Sequence, residues 1–202
     1  MEKDVRQRLA EAVLARILIP MEASARHVHI TRDQCRTLFG HDLTPQRELS
    51  QPGQYLARER VTVKGPAGEF QNVAVLGPPR AEAQIEISLT DARTLGLQPP
   101  LRLSGDVEGS PGAELRGPRG SVTLPKGVIA ARRHIHMTPE DAARMGVADG
   151  QTVRLETYTD RPLVFDDVAV RVSPRFATFA HLDYDEANAC AMKPGDLGRL
   201  IP

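Results

Sequence analysis

Tryptophan is absent from the 202-residue chain, and aromatic residues make up only 4% of it. That is too few for a platform on which bases stack. The formal net charge is zero, with 26 basic and 26 acidic residues. No electrostatic footprint therefore directs the chain to nucleic acid or to an anionic membrane. No apolar run is long enough for a transmembrane helix. Only two cysteines occur, Cys35 and Cys190, far apart in sequence. A disulfide framework uses more of them at closer spacing, so both read as reduced, small buried side chains in a cytoplasmic protein. There is no Walker A loop, no dinucleotide fingerprint and no Gly-x-Ser-x-Gly elbow.

What is present is an ordinary globular composition, 41% hydrophobic and 26% charged, with 16 glycines and 16 prolines. So much Gly and Pro favours many short elements joined by tight turns. The first twenty residues, MEKDVRQRLAEAVLARILIP, carry early acids and no small-residue cleavage site, so they do not read as a secretory signal. Val5, Leu9, Ala12, Val13, Arg16 and Ile17 recur at helical spacing and predict an amphipathic helix ended by Pro20. Alternating strands follow, as in EASARHVHI, ERVTVKG, AQIEISL, GQTVRLETY and PLVFDDVAVRVS. Short helices are predicted after Thr31, over Asp91–Leu97 and in the DYDEAN segment. The fold class is mainly β with short helices, in small barrels.

The opening motif returns. ARRHIHMTPEDAARMGV matches SARHVHITRDQCRTLFG: strand, His-x-His, Thr, acid, short helix, Gly. This is an internal duplication in miniature. The pairs His27/His29 and His134/His136 each place two imidazoles on one face of a strand, where they converge on a point as a metal ion requires. Two pairs leave each ion short of ligands. His181 and Glu86 are the candidate third donors, and histidine with carboxylate suits Zn²⁺ with an open position. Arg80, after two prolines at a strand end, suits recognition of phosphate or carboxylate. Arg26, Arg132 and Arg133 flank the pairs, where a cation would hold an anion near the metal.

ASARHVH, LSQPGQ, NVAVLGPPR, AQIEISLTDAR, GDVEGSPG, ARRHIHMTPEDA and HLDYDEANA, in this order, resemble the PduL-type phosphate acyltransferases, also called phosphate propanoyltransferases or phosphotransacylases. The resemblance runs from about Ile19 to the end. It implies reversible transfer of a short acyl group, propanoyl or acetyl, between coenzyme A and inorganic phosphate to give acyl phosphate. It implies two small β-barrels capped by helices, one at 18–26 plus 132–202 and the other at 27–131, which the amphipathic helix read at 1–17 precedes. It implies two zinc ions per chain, one on His27, His29 and Glu86 and one on His134, His136 and His181. By the same resemblance Arg80 is the essential arginine, and Ser24, Arg47, Leu76, His181 and Asn188 contact coenzyme A. Ala74 stands where many members have arginine, and Arg47 where many have lysine. The family also suggests a homodimer and, in some relatives, an N-terminal helix that addresses a bacterial microcompartment, as in propanediol degradation. Two other readings compete. An acid four residues beyond each pair, Asp33 and Glu140, resembles a cupin metal site; alternatively, zinc holds together a non-enzymatic binding module.

Overall fold

The computed structural model describes residues 4–5, 13–14 and 17–201. In chain order the elements begin β1 (Leu18–Ser24), β2 (His27–His29), α1 (Arg32–Phe39), β3 (Pro45–Glu48), β4 (Tyr55–Lys64) and β5 (Glu69–Gly77). They continue β6 (Gln84–Ile87), α2 (Leu89–Leu95), β7 (Leu101–Arg102), β8 (Ala113–Arg116), β9 (Ser121–Leu124) and β10 (Val128–Ala131). The last are β11 (His134–Met137), α3 (Pro139–Met145), β12 (Thr152–Tyr158), β13 (Val164–Val172), β14 (Phe179–Asp183), α4 (Tyr184–Ala189) and β15 (Leu197–Ile201). The protein is mainly β, as its alternating segments predict. No helix among the described residues is long and apolar enough to cross a membrane.

Two compact units emerge. One joins the residues up to Ala23 to Arg133–Leu182 and to the residues from Glu186 onward. It is a closed barrel of order β1-β14-β11-β13-β12-β15, closed by antiparallel pairing of β1 with β15. Alternation sets its core: Val153, Leu155 and Thr157 of β12 turn inward while Arg154 and Tyr158 stay outside. Ile19, Met21, Ile135, Met137, Val168, Val170, Ala180 and Leu182 fill the same core. The other unit is Ser24–Arg132 with Asp183–Asp185. Its nine-stranded sheet runs β7-β10-β6-β2-β5-β4-β8-β9, with β3 beside β4. The two expected barrel-like units are thus present, the second as a sheet curled into a half-barrel in which β7 and β9 end the path.

The duplication seen in the sequence extends to the whole topology. The barrel order β1-β14-β11-β13-β12-β15 corresponds, strand for strand, to β10-β6-β2-β5-β4-β8 in the open sheet. In both, the His-x-His strand lies between one antiparallel and one parallel neighbour. In both, the strand just before the His-x-His motif belongs to the other unit's sheet: β1 precedes β2 but pairs in the barrel, and β10 precedes β11 but pairs with β6 and β7.

Short helices are fixed by their ends. Thr31 and Gln34 form a capping box on α1, and Gly40 closes it in the left-handed conformation. Ser88 and Asp91 do the same for α2, and Thr138 caps α3 ahead of Pro139. The helix predicted from Asp91 thus starts two residues earlier. The AQIEISL alternation stops at its Ser88 cap, and Leu89 is exposed on the helix rather than inward on a strand. Most of the predicted N-terminal helix lies outside the described residues; of its apolar positions, Val5, Val13 and Ile17 are exposed. Asp91 also takes a bidentate ion pair from Arg26, whose guanidinium lies over the Phe70 ring.

Two Gly-Pro-x-Gly turns press against helix ends. A Cβ on Gly65 would stand 2.3 Å from the Leu95 carbonyl oxygen of α2, and one on Gly117 2.4 Å from the Leu38 carbonyl oxygen of α1. Both are backbone atoms, so only displacement of turn or helix relieves the overlap. Gly65→Ala is therefore expected to destabilise its unit by about 1–3 kcal/mol, as overpacking does. A denaturant midpoint equal to that of the parent would show that the turn yields without cost.

Candidate metal centre

Both donor sets follow from strand periodicity. His27 and His29 are two apart on β2, so they share a face, while Val28 between them enters the core. On antiparallel β6, Glu86 stands opposite His27 and Gln84 opposite His29. The barrel repeats this: His134 and His136 share a face of β11, Ile135 and Met137 enter the core, and His181 of β14 stands opposite His134. On the parallel side an alanine faces the first histidine of each pair, Ala74 for His27 and Ala169 for His134. In each triad the ligand-type atoms lie within 4.8 Å of one another.

In the open-sheet unit the triad is buried; His29 is 2% exposed and Glu86 6%. His27 Nε2 is 3.5 Å and His29 Nε2 3.9 Å from Glu86 Oε1. His27 Nδ1 lies 2.7 Å from the Ala25 carbonyl, which can only accept. That nitrogen carries the proton in the neutral ring, and the Nε2 lone pair faces Glu86. Burial works against the charge of His27, but Glu86 outweighs it, and the pKa of His27 is raised. Burial, then the charges of His27 and Arg80, push His29 well below the usual imidazole value. Burial alone would raise Glu86; the charge and hydrogen bond of His27, then His29, hold it far below the usual carboxylate range.

The barrel triad is packed ring on ring. His134 stacks on His181 at 5.1 Å between centroids, and His136 meets both nearly edge-on at 4.6 and 5.0 Å. Phe176 lies 4.2 Å from the His136 ring. Glu22 of β1 brings a carboxylate oxygen within 4.0 Å of His181 Nδ1.

These residues fit a transition-metal ion. The His29 ring is backed by the Leu76 backbone, and its Nε2 is the atom that faces Glu86 Oε1. His₂Glu and His₃ sets with one position left open are the zinc sets of hydrolytic and Lewis-acid sites. Neither Asp33 nor Glu140 joins them; both lie exposed in the first turns of α1 and α3, where they favour the helix dipole.

Arg80 is half-buried, its backbone N–H donating to the Ile30 carbonyl and its Nη1 to Ser104 Oγ at 2.9 Å. Its charge is felt by His27 and His29. Leu76 lies on β5, its backbone against His29. Ser24 ends β1, Arg47 is exposed on β3, and Asn188 is exposed on α4. Arg47 lines a cleft of about 510 Å³ together with Pro45, Glu48, Pro52 and Tyr55. Two of the three flanking arginines are engaged elsewhere, Arg26 with Asp91 and Arg133 with Glu186 at 2.7 Å. Gln84 and Ser104 went unnoticed in the sequence. Gln84 is legible from its spacing, two before Glu86; Ser104, in a turn, gives no signal. Cys35 and Cys190 are buried thiols whose pKa burial raises, so neither is poised as a nucleophile.

The class defined by this fold and site is a β-sheet protein with two histidine-rich donor sets suited to divalent metal ions. Residues 20–193 match the phosphate propanoyltransferase family. The chain is 53% identical over 183 residues to the phosphate propanoyltransferase of Enterococcus faecalis, covering 90% of this chain and 87% of the relative. It is 49% identical over 199 residues to that of Listeria monocytogenes, with 96% and 93% covered. It is 54% identical over 181 residues to that of Thermotoga maritima, with 88% and 86% covered. The chain belongs to the phosphate propanoyltransferase family, a family of acyltransferases.

Proposed function

We propose that the chain is a zinc-dependent phosphate acyltransferase that moves a propanoyl or acetyl group reversibly between coenzyme A and inorganic phosphate. One observation carries the reading: each unit builds a donor triad by the same strand register, fully buried in the open sheet and, but for a half-buried His181, in the barrel, and Arg80 is tied to the first through Ser104. His27, His29 and Glu86 hold one zinc, and His134, His136 and His181 the other. Bound zinc supplies Lewis acidity that stabilises thiolate and oxyanion charge. The Arg80 guanidinium pairs with phosphate and with the oxyanion of the tetrahedral intermediate. A phosphate oxygen forms the new bond to the thioester carbon, the C–S bond breaks, and its electron pair leaves on the coenzyme A sulfur. Direct attack is favoured because both thiols are buried with raised pKa values. Ser24, Arg47, Leu76 and Asn188 contribute contacts to coenzyme A.

The test is thiol release from propanoyl- and acetyl-CoA on metal-quantified protein, with and without phosphate. Phosphate-dependent release that yields acyl phosphate is expected. Release at the same rate without phosphate would make the protein a thioesterase, and no release by zinc-loaded protein would sink the reading.

A further inference from the structure

Gln84 is 2% exposed and has every polar atom of its amide engaged. The Gly105 backbone N–H donates to Gln84 Oε1 at 2.7 Å. A backbone N–H can only donate, so this bond fixes which end of the amide is oxygen. The Nε2 hydrogens then go to Glu86 Oε1 at 2.5 Å and to Ser104 Oγ at 2.9 Å. Ser104 Oγ also accepts from Arg80 Nη1 and is hydrogen-bonded to Glu86. Glu86 Oε1, the atom that Gln84 holds, is also the one nearest both imidazole Nε2 atoms.

We propose that Gln84 is a positioning residue of the metal centre: its amide sets the orientation of the Glu86 carboxylate toward His27 and His29. Through Ser104 the same amide keeps that carboxylate in register with Arg80. The inference rests on the zinc reading above. A carboxylate side chain has three torsions, and without an outside partner Oε1 is free to turn from the imidazoles. Gln84 restrains it from the neighbouring position on the same strand face, anchored by the Gly105 backbone. Such partners typically govern metal affinity by 10–100-fold.

The experiment is zinc competition against a chromophoric chelator, run on wild type, Gln84→Met, Glu86→Ala and the double variant. Wild type binding two zinc ions is the starting point; no uptake would overturn the zinc reading and this inference with it. Gln84→Met is expected to weaken one site about 10–100-fold, to leave the second unchanged, and to have no further effect in the Glu86→Ala background. That last arm separates positioning through Glu86 from general support, because coupled residues are non-additive. Two sites at wild-type affinity in Gln84→Met, or an equal loss with Glu86 absent, would overturn the inference while leaving the zinc reading intact. Should Gln84→Met not fold, Ser104→Ala is measured instead. It removes one of the amide's acceptors and is expected to weaken the same site by several-fold; unchanged affinity there counts against the role of Gln84.

Discussion

Arg80→Ala is expected to lower kcat/KM for phosphate by about 10²–10³-fold, roughly 2.7–4 kcal/mol of transition-state stabilisation, with both zinc ions retained. The size follows from the setting. Arg80 is half-buried, its backbone pinned to Ile30 and one guanidinium nitrogen pinned to Ser104, so the fork is oriented before substrate arrives. A fixed cation in a partly desolvated site acts on developing charge without reorganising, which is why its loss exceeds that of a surface ion pair. Arg80→Lys is expected to restore little, since an ammonium cannot present two parallel donors to a phosphate. Zinc content checks the assignment: Arg80 ligates nothing, so a variant that lost both metal and activity would instead reveal a structural role. An Arg80→Ala rate within a few-fold of wild type would remove the arginine from the chemistry.

Chelation of both zinc ions is expected to abolish phosphate-dependent release and to lower the melting temperature by roughly 15–30 °C. Ligand held at a thousand times its dissociation constant stabilises by about 4 kcal/mol per site, and each kcal/mol is about 2–4 °C for a chain of this size. Acid acts in the same direction. Zinc needs neutral imidazoles, and the raised pKa of His27 means protons compete from a higher pH than for an ordinary histidine. In the metal-free protein, the His27 contribution to stability is fully present below the unfolded imidazole value and is lost as pH rises through the raised folded value. Glu86 behaves oppositely: its contribution is present above the unfolded carboxylate value and is lost only as pH falls through its depressed one. His29, held neutral by burial, costs stability as pH falls below the unfolded imidazole value. Zinc titrations at pH 8 and pH 6 should therefore show clear weakening at the lower pH. A flat profile would mean that histidines are not the donors.

The histidine pairs were legible because period two is a local property: residues two apart on a strand share a face whatever surrounds them. Glu86 was legible for the same reason, as the acid on the polar side of QIEI. What alternation does not contain is register. That Glu86 sits across from His27, and His181 across from His134, depends on pairing between distant strands. Alternation also does not say whether the polar side of β6 meets solvent; all four of its residues are buried. Ser104 was invisible because its role comes from a turn brought in by the chain beyond α2. The start of α2 was misplaced because Ser88 continues the alternation and also caps the helix, and only the capping box with Asp91 decides between the two. The open edges of the second sheet were likewise beyond reach, since closure depends on whether β7 and β9 meet.

The exchange of leading strands between the two sheets governs the order in which the protein can be assembled during synthesis. β1 leaves the ribosome first, yet its partners β14 and β15 are nearly the last segments made. The sheet containing β2 to β10 has all its strands by Ala131 and can form while the barrel still lacks every partner for β1. Contacts of such long sequence separation form slowly, because loop closure costs entropy before pairing returns any stability. Through most of translation, then, Leu18–Ser24 is an apolar strand with unpaired edges, the kind of segment that chaperones cover and that associates with its like.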